Sequence, residues 1–287
     1  MMRGNRNNEH FPILGIQEFG AGAIGRKSNL LFHELHGERH IDEPHKHDFF
    51  IILLFEKGSG VHSIDFVDYR IACRQIHLLF PGQVHAWDIK PATRGYQLMA
   101  DRDLFEAVSP DFRFPVSFYQ KHPVQKLNAK SFQEFLYEFA AISKELKEQN
   151  PLPQLLRSRL QVITSLISKE GEKIYHDDKK NHSNALVSGY QQLIEQYYKQ
   201  QRSVAFYADK LHITPNYLNI LCQKNMQQQA THLIQERIVL EAKRLLRVSD
   251  LSVKEIAADL GFDDHAYFSN FFKAQTGTTP SNFRTQY

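Results

Sequence analysis

Two stretches of this chain, about fifty residues apart, repeat one short plan, and that repeat limits the fold more than any other feature. The later copy is the clearer. Ser252, followed three residues on by Glu255, makes a capping box, so a helix begins at Val253. Its apolar face is Val253, Ile256, Ala257 and Leu260, and Gly261 stops it because glycine accepts the left-handed turn. A second helix starts after Asp263 or Asp264, with Tyr267, Phe268, Phe271 and Phe272 expected to face inward. In the earlier copy, Ala208-Asp209-Lys210-Leu211-His212-Ile213 parallels Ala257-Ala258-Asp259-Leu260-Gly261-Phe262. Thr214 and Pro215 supply an N-cap and a first-turn proline, and Tyr217, Leu218, Leu221 and Cys222 echo the later aromatic set. Tyr217, like the later phenylalanines, is expected in the core. Helix, tight turn, helix is the geometry of a helix-turn-helix.

Upstream the hydrophobic period differs. Before residue 125, short apolar runs at 49–55, 61–66, 69–73, 76–80 and 96–99 lie between Gly, Pro and Asp and predict strands of a sandwich or barrel. Beyond 125 the period is helical. Phe132, Phe135, Leu136, Phe139, Ile142 and Leu146 form one stripe, and Leu155, Leu156, Leu160, Ile163, Leu166 and Ile167 form another, with a turn at Asn150 and Pro151. The hairpin packs on the strands, and its phenylalanine-rich stripe is also a candidate dimer face. Residues 171–184 are polar and nearly free of apolar anchors, which predicts a linker. The expected domains are thus a barrel at 1–125, a hairpin for dimerisation at 126–170, a linker at 171–184 and a helical domain at 185–287.

A chain of 287 residues suits two domains, and 42% hydrophobic with 23% charged residues is ordinary for a globular protein. Its two cysteines, Cys73 and Cys222, are far apart, which argues against a disulfide framework and for a reducing compartment. The start does not read as a signal peptide, and the longest apolar run falls well short of the ~20 residues of a membrane helix, so a cytoplasmic protein with no membrane partner is expected. No phosphate-binding glycine loop, dinucleotide fingerprint or Ser-His-Asp order is present, and no enzyme is expected.

The stretch from Ile256 to Arg284, I-A-A-D-L-G-F-D-D-H-A-Y-F-S-N-F-F-K-A-Q-T-G-T-T-P-S-N-F-R, closely resembles the signature of the AraC family of transcription regulators. The likeness extends over 185–287, with Glu241-Ala242-Lys243-Arg244-Leu245-Leu246 in the place of the family's connecting helix. Residues 231–247 are long enough for a rigid helix of ~25 Å, which sets two second helices in major grooves roughly 34 Å apart. The first copy departs from the pattern: His212 and Gln227 stand where glycine is usual. By resemblance, the outward faces that enter DNA are Asn216, Asn219, Ile220 and Gln223 in the first copy and His265, Ala266, Ser269, Asn270 and Lys273 in the second. Lys210, Lys224, Lys243, Arg244, Lys254 and Lys273 are candidate phosphate contacts. Asn and Gln pair with adenine and no arginine lies on either face, so an A·T-leaning site with some shape readout is expected.

Glu43-Pro44-His45-Lys46-His47 and Phe80-Pro81-Gly82-Gln83-Val84-His85 together resemble the two motifs of the cupin barrel, the sensing fold of many AraC-type regulators. Three imidazoles suit zinc, iron or nickel. Metal-binding cupins, however, place a glutamate soon after the His-x-His pair, where this chain has Ile51 and Ile52. His45, His47, His85, Trp87 and Tyr96 are therefore predicted to line an effector pocket, with no metal and no cofactor. His33, His36, His40, His62 and His77 are read as structural.

The expected molecule is an α+β two-domain chain: an N-terminal cupin-like β-barrel with a helical hairpin, and a C-terminal all-α domain of two helix-turn-helix units. The resemblance implies a DNA-binding regulator, an activator controlled by a small-molecule effector, with double-stranded promoter DNA, a second copy of itself and RNA polymerase as partners. A metal-dependent enzyme and a DNA binder with an inert barrel are the alternatives.

Overall fold

The computed structural model describes Ile16 and residues 23–25, 29–178 and 185–285. They fall into two compact units, one within residues 14–182 and one within 183–287. Among the described residues no helix is long and apolar enough to cross a membrane.

In chain order the strands of the first unit are β1 (Leu30–His36), β2 (Arg39–Lys46), β3 (Phe50–Lys57), β4 (Gly60–Ile64), β5 (Val67–Arg70), β6 (Gln75–Leu79), β7 (Val84–Ile89), β8 (Arg94–Ala100) and β9 (Val124–Lys126). They make a five-stranded sheet, β1-β8-β3-β6-β9, and a four-stranded sheet, β2-β7-β4-β5, antiparallel throughout. Among the described residues no ladder joins the two, so the cupin-like barrel is an open pair of facing sheets.

The larger sheet is covered on both sides. Leu31, Leu35, Ile51, Leu53, Leu79 and Met99 point into one core with Trp87, Ile64 and Ile89 of the smaller sheet. Leu30, Phe32, Phe50, Ile52, Leu54, Ile76, Leu78 and Leu98 point into a second core with the helices. This is why β3 reads Phe-Ile-Ile-Leu-Leu-Phe without polar alternation: a central strand with no wet face has no use for one. Each such side chain contributes roughly 1.5–3 kcal/mol by leaving water.

The helices that cover this outer face are α1 (Arg102–Val108), α2 (Val116–Lys121), α3 (Ala129–Leu146) and α4 (Pro153–Asp178). The first two lie inside the segment expected to be strands only. The stripe of α3 is also corrected as a dimer face. Phe132, Phe135, Phe139, Ile142 and Leu146 are buried in the unit's own core, because the larger sheet needs an apolar cover. Nor is the whole of 171–184 a linker. Helix α4 runs to Asp178, and residues 179–184 lie outside the described ones. Gly171, where the polar stretch begins, lies inside α4. A Cβ there would sit 3.2 Å from the rings of Phe118 and Tyr119, so this glycine allows close packing of a helix and does not break one.

The second unit is helical: α5 (Ala185–Tyr197), α6 (Val204–Lys210), α7 (Pro215–Met226), α8 (Ala230–Val248), α9 (Val253–Asp259), α10 (His265–Thr276) and α11 (Pro280–Thr285). The capping box forms, with Glu255 N donating to Ser252 Oγ at 3.2 Å and Ser252 N donating to Glu255 Oε2 at 2.7 Å. Thr214 caps α7 and Asp264 caps α10 through their side chains. Both helix-turn-helix turns close alike. Ile213 N donates to Ala208 O at 3.0 Å, and Phe262 N donates to Ala257 O at 2.8 Å. At the same step His212 has φ 55 and Gly261 has φ 76, and past the second helices Gln227 has φ 55 and Gly277 has φ 79. The substituted residues adopt the glycine conformation.

Candidate functional site

The structure offers one outward and one inward constellation. In the helical unit, α7 and α10 are the second helices of the two copies. Leu218, Leu221 and Cys222 hold α7 to the core, and Phe268 and Phe272 hold α10. The opposite faces are open. Asn216, Ile220, Gln223 and Lys224 are exposed on α7, as are His265, Ala266, Asn270 and Lys273 on α10, while Ser269 is half-buried and donates to His265 O of its own helix at 2.8 Å.

Three expectations change here. Asn219 is half-buried and its Oδ1 accepts from Ala230 N at 3.1 Å. The N-cap of α8, Gln229, makes no side-chain cap bond, so Asn219 supplies an acceptor for that helix start from the neighbouring helix. Tyr217 and Tyr267, expected inside, are 46% and 64% exposed. They occupy equivalent places in the first turns of α7 and α10, one position before the buried Leu218 and Phe268, and so add an aromatic to each outward face. Among the candidate phosphate contacts, Lys210, Lys224, Lys254 and Lys273 are exposed. Arg244 is buried and bonds Glu241 at 3.4 Å, so it is not free to meet a phosphate, and Lys243 is half-buried with its Nζ 5.8 Å from the Phe283 ring centroid.

In the first unit, strand alternation gathers histidines between the sheets. His85 and Trp87 point inward from β7, and His62 points inward from β4. His45 lies opposite His85 in the β2–β7 ladder, and His47 follows just past β2. His77 faces them from β6 of the larger sheet. The buried rings form a continuous chain. His47 Nε2 lies 2.7 Å from His85 Nε2, His85 Nδ1 lies 3.2 Å from His62 Nε2, and His62 Nδ1 lies 3.0 Å from His77 Nδ1. The chain ends where His77 Nε2 meets Gln75 Oε1 at 3.2 Å. His45, half-buried, has its ring centroid 4.6 Å from that of His47 and 4.5 Å from that of His85.

Burial disfavours the charged imidazolium, so the four buried rings, His47, His62, His77 and His85, are neutral at pH 7. Burial, with His45 beside it, brings His47 down to about 3, and burial brings His77 down to about 3. Burial, then the neighbouring rings, holds His62 and His85 well below the usual imidazole value. Trp87 packs 5.6 Å from both His62 and His85, and its Nε1 has no hydrogen-bond partner among the described residues.

His62 and His77 thus join the site although the sequence marked them as structural. The signal was present: V-H-S-I and I-H-L-L both place histidine on the inward parity of a strand. Tyr96 leaves the site. It lies opposite Leu54 in the ladder and contacts Phe32 and Phe139, on the helix side of the larger sheet. One position along, Gln97 is buried on the other parity. His36 and His40 are surface residues paired with Glu34, and with Glu38 and Asp88.

Comparison with known proteins gives two family matches, one in each unit. A model described as an AraC-like ligand binding domain matches residues 28–100, and one described as a helix-turn-helix domain matches residues 207–286. The chain is 30% identical over 143 residues to YijO of Escherichia coli, an uncharacterized HTH-type transcriptional regulator, a match that spans half of each chain. It is 20% identical over 254 residues to the HTH-type transcriptional activator RhaR of Yersinia pestis, covering 85% of this chain and 84% of that one. Among solved structures, fatty acid-bound ToxT of Vibrio cholerae covers 89% of this chain and 94% of its own, at 16% identity and a TM-score of 0.44.

Proposed function

Because this chain belongs to the AraC family of transcription regulators, we propose that it binds promoter DNA through the outward faces of α7 and α10. A small molecule held by the first unit controls that binding. The observation that carries the proposal is the pair of matching second helices, each anchored by an apolar face and each leaving polar side chains and one tyrosine exposed. Asn216, Gln223 and Asn270 suit adenine edges, and Ile220 suits a thymine methyl, so the operator is A·T-leaning. Lys224 and Lys273 meet phosphates. Tyr217 and Tyr267, near the helix starts, add sugar and phosphate contacts.

The effector site is the inward constellation of His45, His47, His85 and Trp87, without Tyr96. The effector acts through its different affinity for the DNA-competent and DNA-incompetent states. The protein acts as an activator in the cytoplasm, as a homodimer that contacts RNA polymerase, and carries out no catalysis. With the phenylalanine stripe of α3 used internally, the dimer draws on the outward side of that helix, where Tyr137 is exposed.

The test is binding-site selection from random duplex DNA with the full chain at two salt concentrations. One enriched site with two half-elements about one helical turn apart, retained at the higher salt, is expected. Enrichment that vanishes with salt, or none at all, overturns base-specific reading.

A further inference from the structure

The hydrogen bonds between the sheets fix which nitrogen of each imidazole carries its proton. Gln75 Oε1 accepts from Ala72 N at 2.7 Å, so the oxygen of that amide, and not its NH2, faces His77. His77 must then donate from Nε2, which leaves its Nδ1 a lone pair. His62 donates from Nδ1 to that lone pair and offers its own Nε2 as acceptor. His85 donates from Nδ1 to His62, and its Nε2 is left with a lone pair aimed at His47. One backbone N–H thus sets the tautomer of three buried histidines in series, and the last presents a nitrogen ready to ligate.

We propose that His45, His47 and His85 bind one divalent transition metal of the zinc, cobalt and nickel class, with His62, His77 and Gln75 as the outer shell that orients His85. Their nitrogens lie within 4.8 Å of one another, with no carboxylate among them. An all-imidazole set favours these borderline metals over magnesium or calcium, which take oxygen. Histidine ligands characteristically give their second N–H to a partner that fixes the ring, and the series from Gln75 to His62 does this for His85. Nothing of that series belongs to the cupin motif, whose glutamate is absent here.

The metal replaces the hydrogen bond between His47 and His85. Their two nitrogens move apart from 2.7 Å to the roughly 3.3 Å that bonds of about 2.0–2.1 Å to tetrahedral zinc require. His45 closes inward to complete the set. It stands next to a break in the β2–β7 register and is half-buried, so it has room to move and marks the way in. Three ligands leave a fourth position open to water or an anionic group.

The site shares His45, His47 and His85 with the proposed effector site, but metal binding is read on the protein alone, so its failure is distinguishable from failure of the regulatory proposal. The full-length chain, without an affinity tag and stripped with chelator, is titrated with Zn(II) and with Co(II). Elemental analysis after dialysis gives the stoichiometry, and visible Co(II) bands give the geometry. One metal per chain with four-coordinate Co(II) bands is expected. His45→Ala, at a half-exposed position, should weaken binding at least ~100-fold while native Trp87 fluorescence is kept. Gln75→Leu removes the acceptor that sets the tautomers and should weaken binding about 10–100-fold with every ligand still in place. Substoichiometric metal in the unaltered chain, or equal binding by His45→Ala, overturns the site.

Discussion

The sheet unit buries a cluster of its histidines, whereas among the described residues the helical unit buries none. His47, His62, His77 and His85 are buried between two sheets, whereas His212 and His265 are exposed and His232 stands at the surface of α8. The difference follows from the two backbones. A strand sends every second side chain to one face, and when two sheets meet, polar residues on that face must find partners among themselves. A helix in a small bundle spends only a stripe on the core and leaves the rest to water or a partner. The sheet unit is thereby suited to enclosing a ligand and the helical unit to presenting a surface.

The largest test of this contrast is acid. The folded-state values of His47 and His77, about 3, lie below the unfolded value of 6.5, so the unfolded chain takes up protons first. The stability this gives is complete above pH ~6.5 and is lost as pH falls toward about 3, on the order of a few kcal/mol. Trp87, the single tryptophan, reports the sheet unit, and amide hydrogen exchange in α7 and α10 reports the helical one. Between about pH 7 and pH 5 the fluorescence melt should fall while the opening free energy of α7 and α10 holds, and a common loss would break the contrast.

A second test lies inside the helical unit, where two left-handed glycines of the second copy differ in their surroundings. A Cβ on Gly261 would stand 2.1 Å from Lys199 O, whereas one on Gly277 meets nothing within 4 Å, and both have positive φ. Gly261→Ala should therefore cost about 3 kcal/mol or more, and Gly277→Ala only about 1 kcal/mol. Denaturant midpoints separate the two, and equal losses would mean that backbone conformation alone matters at both turns. Asn219→Ala removes the cap on α8 and should cost about 1 kcal/mol, against less than about 0.5 kcal/mol for its counterpart Ser269→Ala. The reverse ranking in chemical denaturation would return Asn219 to the outward face. The smallest effect is a gain. His212 already has φ 55 with no glycine to ease it, and His212→Gly should stabilise by about 0.5–1 kcal/mol in the same measurement.

Much of the helical unit was legible because its signals are local. A capping box, an N-cap before proline and a left-handed residue after each helix act within a turn or two, so helix starts and turns were read correctly even where His212 and Gln227 replace glycine. The edges of the outward faces were not legible. The inward placing of Tyr217 and Tyr267 came from echoing apolar residues around them, and only the packed helices show that the next residue takes the core position. Asn219 looked outward until the start of α8 came to lie beside it.

The sheet unit was legible in its apolar runs and illegible in its pairing. Strands β1, β2, β7 and β9 carry mixed residues, and which of them lie together depends on contacts far apart in sequence. Two short motifs were enough to bring His45, His47 and His85 into one hypothesis, because a turn and a two-residue spacing are local features. The membership of His62 and His77 depended on how two sheets face each other, and so did the exclusion of Tyr96. By itself the sequence determined the two-domain plan and the duplicated helix-turn-helix, since periodicity and capping are properties of short stretches. Only the tertiary structure decided which histidines meet and that the α3 phenylalanines serve the core, because each of those depends on what another segment places opposite.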